Sequence, residues 1–241
     1  MQVVAKTWRD DVALAVGHLA APDSGTHPGV VMIHDVWGLA DHTRDLARRL
    51  AGEGFAVLAI DLYRETGRPR ITDPASALAW IRELSDPLVM QTLQEGIDFL
   101  ASSASVGGRK VGITGFCMGG QYALLGACTR RGLSAAVVFY GMLAYAQGLD
   151  PAKKPRAPLD AVPDLGCPLL GLFGADDPLI PVSQVEELER RLAKTGRPHE
   201  VKVYAGAGHA FMNDTRPELH RPAVAQDAWG RMLGFFREYL R

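Results

Sequence analysis

The feature that most restricts the fold of this chain is a cysteine set between glycines at the end of an apolar run. Residues 115–120 are Gly-Phe-Cys-Met-Gly-Gly, and they directly follow the segment Lys110–Thr114. In a G-x-C-x-G pattern the central residue occupies a strained turn from a strand into a helix, where only small neighbours let the backbone pack closely. We therefore predict a nucleophile elbow that presents the thiol of Cys117 to a substrate.

Short apolar runs alternate with helical patterns along the rest of the chain. This alternation predicts an α/β fold in which helices cover both faces of a mainly parallel sheet of about eight strands. The predicted strands are Gln2–Arg9, Val12–Ala20, Gly29–His34, Phe55–Leu62, Lys110–Gly115, Leu133–Tyr140, Pro168–Gly174 and Glu200–Tyr204. The first two are expected to form an antiparallel pair, and residues 1–241 are expected to form one domain.

The segment 142–166 does not fit this alternation, since it carries four prolines. A loop of this length in a compact domain is usually functional, so we predict a rim over the site with a short helix. The basic run Lys153–Arg156 within it is predicted to be a solvated loop.

Composition and charge exclude several classes of protein. The formal net charge is −1, which gives no electrostatic footprint for nucleic acid or an anionic membrane. We find no secretory signal and no apolar stretch of membrane-spanning length. Three widely spaced cysteines argue against a disulfide framework or a zinc site. We expect a cytoplasmic protein whose catalytic centre needs no metal.

An acid and a base follow the elbow in the order expected of a catalytic triad. The acid lies in Ala175-Asp176-Asp177-Pro178, after a predicted strand, and the residues alone leave Asp176 and Asp177 as alternatives. The base is His209, in the glycine-rich segment after the last strand. The chain order nucleophile, acid, histidine is the one that α/β-hydrolases use.

Each residue has a defined part in nucleophilic catalysis. A free cysteine is only a few per cent thiolate at neutral pH, so His209 would accept the thiol proton and an aspartate would orient the imidazole. The backbone N–H groups of Met118 and Val36 are the expected oxyanion donors. Asp35 either contributes a carboxylate to the site or only satisfies backbone donors in its own loop.

Taken together, several segments of the chain resemble the dienelactone hydrolase family. They are His34-Asp35-Val36-Trp37-Gly38-Leu39, Ala59-Ile60-Asp61-Leu62-Tyr63, the elbow itself, Phe139-Tyr140-Gly141, Gly174-Ala175-Asp176-Asp177-Pro178-Leu179-Ile180-Pro181 and Gly208-His209-Ala210-Phe211. The resemblance implies an α/β-hydrolase fold without a large cap domain, a monomer, no cofactor and hydrolysis of a lactone or ester. It also selects Asp177 as the acid, because the family aspartate stands four positions before a proline, here Pro181.

Two departures from the family concern activation and substrate. Asp35 stands where the family commonly has a glutamate that contacts the resting thiol and helps to activate it. Asn213 stands where the family has an arginine that holds the substrate carboxylate, and Arg64, Arg82 or Arg216 are candidates to replace it. We expect substrate contacts from Trp37, Arg64, Arg82, Phe211 and Asn213.

Two other functions fit the same residues. A general carboxylesterase or thioesterase would use the same triad on a different small-molecule substrate. A non-enzymatic binder or thiol sensor would keep only the elbow geometry, and a redox sensor would need an accessible second cysteine. Cys128 is expected to face the core, which counts against a sensor.

Overall fold

One sheet of eight strands organises the described part of the chain. The computed structural model describes the backbone of residues 8–14 and all atoms of residues 16–241. The strands are β1 Trp8–Leu14, β2 Gly17–Pro22, β3 Gly29–Ile33, β4 Ala56–Ile60, β5 Val111–Phe116, β6 Leu133–Phe139, β7 Leu169–Gly174 and β8 His199–Tyr204. Their order is β1-β2-β4-β3-β5-β6-β7-β8, with β2 antiparallel to both β1 and β4 and all later pairs parallel. The predicted fold class is confirmed.

Helices cover both faces of the sheet, as parallel crossovers require. They are α1 Asp41–Gly52, α2 Pro74–Glu83, α3 Asp86–Ser102, α4 Met118–Thr129, α5 Pro158–Ala161, α6 Val182–Leu192 and α7 Pro222–Tyr239. Every residue of β3, β4, β5 and β7 is buried, which explains why these strands are apolar runs without alternation. Within the described residues, no helix is long and apolar enough to cross a membrane.

The amino-terminal strands differ from the prediction. Most of the predicted strand Gln2–Arg9 lies outside the described residues. The predicted strand Val12–Ala20 contributes to both β1 and β2, because Val12 pairs with Leu19 across an antiparallel ladder. A Cβ atom at Gly17 would lie 2.2 Å from the Ala59 carbonyl oxygen, so only glycine allows β2 to start against β4 there. An antiparallel pair is present at this end of the sheet, but it joins β1 to β2, and both members of the pair Val12–Leu19 lie within one predicted strand, so the predicted bounds were wrong.

A buried ionic cluster anchors the long segment 142–166. Asp86, at the start of α3, accepts hydrogen bonds from Lys154 Nζ at 2.6 Å, from the Tyr145 hydroxyl at 2.5 Å and from the Tyr122 hydroxyl at 3.0 Å. The Lys154 side chain is only 1% exposed. The prediction of a solvated basic loop was therefore wrong for Lys154, which forms a buried ion pair with Asp86. The segment contains the expected short helix, α5, followed by a 3₁₀ turn at Val162–Asp164.

Candidate active site

Cys117 occupies a strained turn between β5 and α4. Its backbone has φ 56° and ψ −118°, a conformation that is costly for a residue with a side chain. Two glycines make room for the turn. A Cβ at Gly115 would lie 2.1 Å from the Gly119 carbonyl oxygen, and one at Gly119 would lie 2.3 Å from that of Ile33. The predicted elbow is thus present, and it directs the thiol to the carboxyl edge of the sheet.

The loops after β7 and β8 bring Asp177 and His209 together. Nδ1 of His209 lies 2.7 Å from Oδ2 of Asp177, and since a carboxylate can only accept, this nitrogen carries the proton. The other carboxylate oxygen accepts the Leu179 N–H at 2.8 Å, which fixes the aspartate rotamer. The Asp177 side chain is fully buried, whereas Asp176 is exposed. Only Asp177 therefore contacts the histidine.

The second ring nitrogen of His209 is available for the thiol. Nε2 is buried and has no hydrogen-bond partner among the described residues. Burial by itself would lower the pKa of His209, but the adjacent Cys117 and the hydrogen-bonded Asp177 outweigh it and raise that pKa to about 10. The environment thus favours the imidazolium when a thiolate stands beside it.

Two backbone amides border the same cavity. Val36 follows β3, and Met118 is the first residue of α4. In the described part of the chain neither N–H donates a hydrogen bond. Donors without a partner at a helix start and after a strand end are suited chemically to stabilise a developing oxyanion.

Asp35 combines a structural contact with a place in the cavity. Its Oδ1 accepts the Trp37 N–H at 2.9 Å, which closes a short turn. Burial raises the pKa of Asp35 to about 6, although the Trp37 N–H and the charges of Arg216 and His209 lower it. The sequence left two roles open for Asp35, and the structure is consistent with both. The carboxylate accepts a backbone N–H in its own loop, and it also lines the cavity that contains Cys117 and His209.

A mostly apolar cavity of about 260 Å³ lies over the thiol. Trp37 and Asn213, two predicted substrate contacts, line it. The Asn213 side-chain oxygen is occupied by the Thr215 hydroxyl at 2.6 Å. Arg216 also lines the cavity, with its guanidinium carbon 4.3 Å from the centre of the Trp37 ring. Only the resemblance pointed to an arginine, and it left three candidates.

Three other predicted contacts lie elsewhere. Arg82 borders an adjoining cavity of about 230 Å³ rather than the one over the thiol. Arg64 borders a separate cavity and pairs with Glu95 at 2.6 Å. Phe211 is fully buried and packs edge-to-face on Tyr140, with ring centres 4.9 Å apart, so it supports the histidine loop from below. Arg64 and Phe211 are therefore corrected from substrate contacts to structural residues.

Sequence reasoning missed the apolar walls of the cavity. An apolar side chain carries no chemical signature of a site, so nothing in the sequence marked these residues. They lie on α2 and on two loops, and they are Ala77, Leu78, Ile81, Met142 and Leu219. Within the described residues, no group of three potential metal ligands is close enough to hold an ion.

Comparisons with known proteins agree with this architecture. A family model described as "Dienelactone hydrolase family" matches residues 16–240. A relative from Escherichia coli strain K12, provisionally named carboxymethylenebutenolidase, is 38% identical over 220 residues, covering 89% of this chain and 78% of its own. A Bradyrhizobium relative, provisionally named 2-oxo-3-(5-oxofuran-2-ylidene)propanoate lactonase, is 32% identical over 99% of this chain and 96% of its own. A Klebsiella pneumoniae crystal structure, provisionally described as a dienelactone hydrolase, matches with a TM-score of 0.84 and 34% identity over 92% of each chain.

Proposed function

We infer that this protein, which belongs to the dienelactone hydrolase family, hydrolyses ester or lactone bonds through a thioester on Cys117. The observation that carries the proposal is the grouping at one cavity of a strained thiol, a histidine paired with a buried aspartate, and two free amide N–H groups. These are the components of acyl transfer: nucleophile, base with its orienting acid, and oxyanion donors. The Bradyrhizobium relative, named as a lactonase, supports the reaction class.

Activation of the thiol follows from the charges around it. Transfer of the Cys117 proton to His209 creates a thiolate and an imidazolium, the pair that the raised pKa of His209 favours. The thiolate also stands at the start of α4, where the helix dipole stabilises negative charge. Asp177 holds the imidazole in the tautomer that leaves Nε2 free to take the proton.

The two half-reactions use the same groups. The thiolate attacks the carbonyl carbon, and the N–H groups of Val36 and Met118 hold the resulting oxyanion. As the intermediate collapses, the carbon–oxygen bond of the ester breaks and His209 returns its proton to the leaving alkoxide or enolate. Water then loses a proton to His209 and attacks the thioester, which releases the carboxylic acid and restores the thiol.

The cavity supports a small substrate that carries an anionic group. Its volume of about 260 Å³ lies just below the usual range for ligand sites, so the cavity fits a small molecule. Arg216 has no ion pair in the described residues, and its guanidinium lies over the Trp37 ring at the cavity wall. We propose that it binds the substrate carboxylate that the family's arginine, replaced here by Asn213, would otherwise hold.

Turnover of dienelactone and of p-nitrophenyl acetate tests the nucleophile. Cys117→Ala should lower kcat by about a thousandfold or more, and acid-quenched wild-type protein should carry the acyl group on Cys117 by mass spectrometry. Cys128→Ala is the matched control, since this buried thiol lies on α4, the helix that follows Cys117, and does not line the cavity. Turnover retained by Cys117→Ala would refute the mechanism.

The same assay separates the substrate proposal from the mechanism. Arg216→Met keeps an apolar stem over Trp37 but removes the charge. It should raise KM for dienelactone, which bears a carboxylate, and leave KM for the neutral acetate ester nearly unchanged. Equal changes for both substrates would remove Arg216 from carboxylate binding without affecting the role of Cys117.

A further inference from the structure

The backbone polar groups around Val36 are nearly all committed to partners. The Asp35 carbonyl oxygen lies 2.6 Å from Nδ1 of His34 and also accepts the Gly38 N–H at a longer distance of 3.2 Å. The Trp37 N–H donates to the Asp35 carboxylate at 2.9 Å, and the Val36 carbonyl accepts from the Tyr63 hydroxyl at 3.0 Å. Of the four groups on the two peptides that flank Val36, only the Val36 N–H has no partner among the described residues.

Two hydrogen bonds determine the tautomer of the His34 ring. Its Nε2 lies 3.1 Å from the backbone nitrogen of Leu62, which can only donate, so Nε2 accepts and the ring proton is on Nδ1. The Nδ1–H therefore donates to the Asp35 carbonyl. His34 is fully buried, and burial lowers its pKa to about 4, so the ring is neutral at physiological pH.

A hydrogen bond to one end of a peptide group sets the direction of the other end. In a planar trans peptide the C=O and the N–H point in opposite directions. Donation from His34, the shorter of the two hydrogen bonds to the Asp35 carbonyl, therefore helps to orient the Val36 N–H, which belongs to the same peptide. The bond also polarises that peptide, which makes its N–H a stronger donor.

We propose that His34 is a positioning residue of the oxyanion hole, which aims the Val36 N–H at the oxygen that becomes negative during acyl transfer. Tyr63 completes the arrangement by fixing the next peptide, and its ring centre lies 4.8 Å from that of His34. These hydrogen bonds join the loop after β4 to the loop after β3, so the pairing of the two strands sets the position of the Val36 N–H. This role rests on the acyl-transfer function proposed above.

Two substitutions at His34 separate positioning from simple support of the fold. Asn places an amide N–H near the position of Nδ1 and can keep the bond to the Asp35 carbonyl, but it loses the acceptor for Leu62. Gln reaches the position of Nε2 and can keep the Leu62 contact, but it loses the donor to Asp35. Both variants remove a buried ring and one hydrogen bond, so they are matched in their expected loss of thermal stability.

The readouts are the pre-steady-state burst rate with p-nitrophenyl acetate and the rate of Cys117 alkylation by iodoacetamide. Alkylation forms no oxyanion, so it reports only on the thiolate. We expect His34→Gln to lower the burst rate by about 10- to 100-fold, with alkylation and KM nearly unchanged. His34→Asn should restore most of the burst rate despite a similar loss of thermal stability.

Three results would overturn the positioning role. They are equal losses of burst rate in the two variants, a greater loss in the Asn variant, and a fall in alkylation that parallels the burst rate in the Gln variant. Cys117→Ala, assayed alongside, tests the proposed function separately. An N–H at Val36 would stabilise the oxyanion formed by any nucleophile, so the ranking of the two His34 variants is informative whatever Cys117→Ala shows.

Discussion

Replacing Asp35 with Asn should stabilise the folded protein at neutral pH. Burial raises the pKa of this carboxyl from 3.8 to about 6, so its ionised form is disfavoured in the fold. Asn is neutral and keeps an oxygen that can accept the Trp37 N–H, now 2.9 Å from Oδ1. The substitution therefore removes an unfavourable charge without removing the turn that the side chain closes.

The magnitude follows from the displacement of the pKa. A tenfold difference in proton affinity corresponds to about 1.4 kcal/mol, so a change from 3.8 to about 6 corresponds to about 3 kcal/mol. Asp35 borders an open cavity, and solvent screening reduces this figure, so we expect a gain of about 1–3 kcal/mol at pH 7.5.

The raised pKa also determines how the stability effect of Asp35 changes with pH. The folded state binds the Asp35 proton more tightly than the unfolded chain does, so this group makes the protein less stable as pH rises from 3.8 to about 6. The advantage of Asp35→Asn should be complete above this range and roughly half as large at pH 5.

Urea unfolding of both proteins at pH 5 and pH 7.5 measures the effect. Asp176→Asn is the matched control, because this exposed carboxylate lies on a loop at the same edge of the sheet and its loss should change stability by less than about 0.5 kcal/mol. An Asp35→Asn protein less stable than wild type at pH 7.5, or an advantage independent of pH, would refute the reasoning. Either result would mean that the ionised Asp35 carboxylate does not destabilise the folded protein.

Two further substitutions test the packing around the site. Gly119→Ala would place a Cβ 2.3 Å from a carbonyl oxygen of β3, so we expect loss of turnover and a melting temperature well below that of wild type. Gly234→Ala is the control, because a Cβ there would have no atom within 4 Å, and it should be neutral or stabilising in the same thermal scan. Lys154→Met would leave a buried carboxylate unpaired, which should cost about 3–5 kcal/mol in urea unfolding. Lys153→Met, which breaks only an exposed pair, should cost less than about 1 kcal/mol, and equal losses at the two lysines would contradict the assignment of a buried ion pair.

The fold was largely predictable because its strands are continuous apolar runs. Buried parallel strands such as β3 and β5 have no polar face, and their sequences show this directly. The β1–β2 pair was predicted less well, since Val12–Ala20 is an apolar run in which one glycine, Gly17, is the only local sign of where one strand ends and the next begins. Lys154 was misjudged for a related reason, because nothing local to a basic run shows that a carboxylate 68 residues away will neutralise one of its members.

The site divides in the same way. The sequence by itself determined the elbow, the order of nucleophile, acid and histidine, and the segments at the carboxyl edge of the sheet, because each depends on local backbone geometry or on chain order. Tertiary structure alone decided which side chains share the cavity. It put Arg216 over Trp37, turned Arg64 and Phe211 away, and set Nδ1 of His34 against the Asp35 carbonyl. Such contacts join loops that are distant in sequence, and their geometry follows from how the sheet brings the strand ends together.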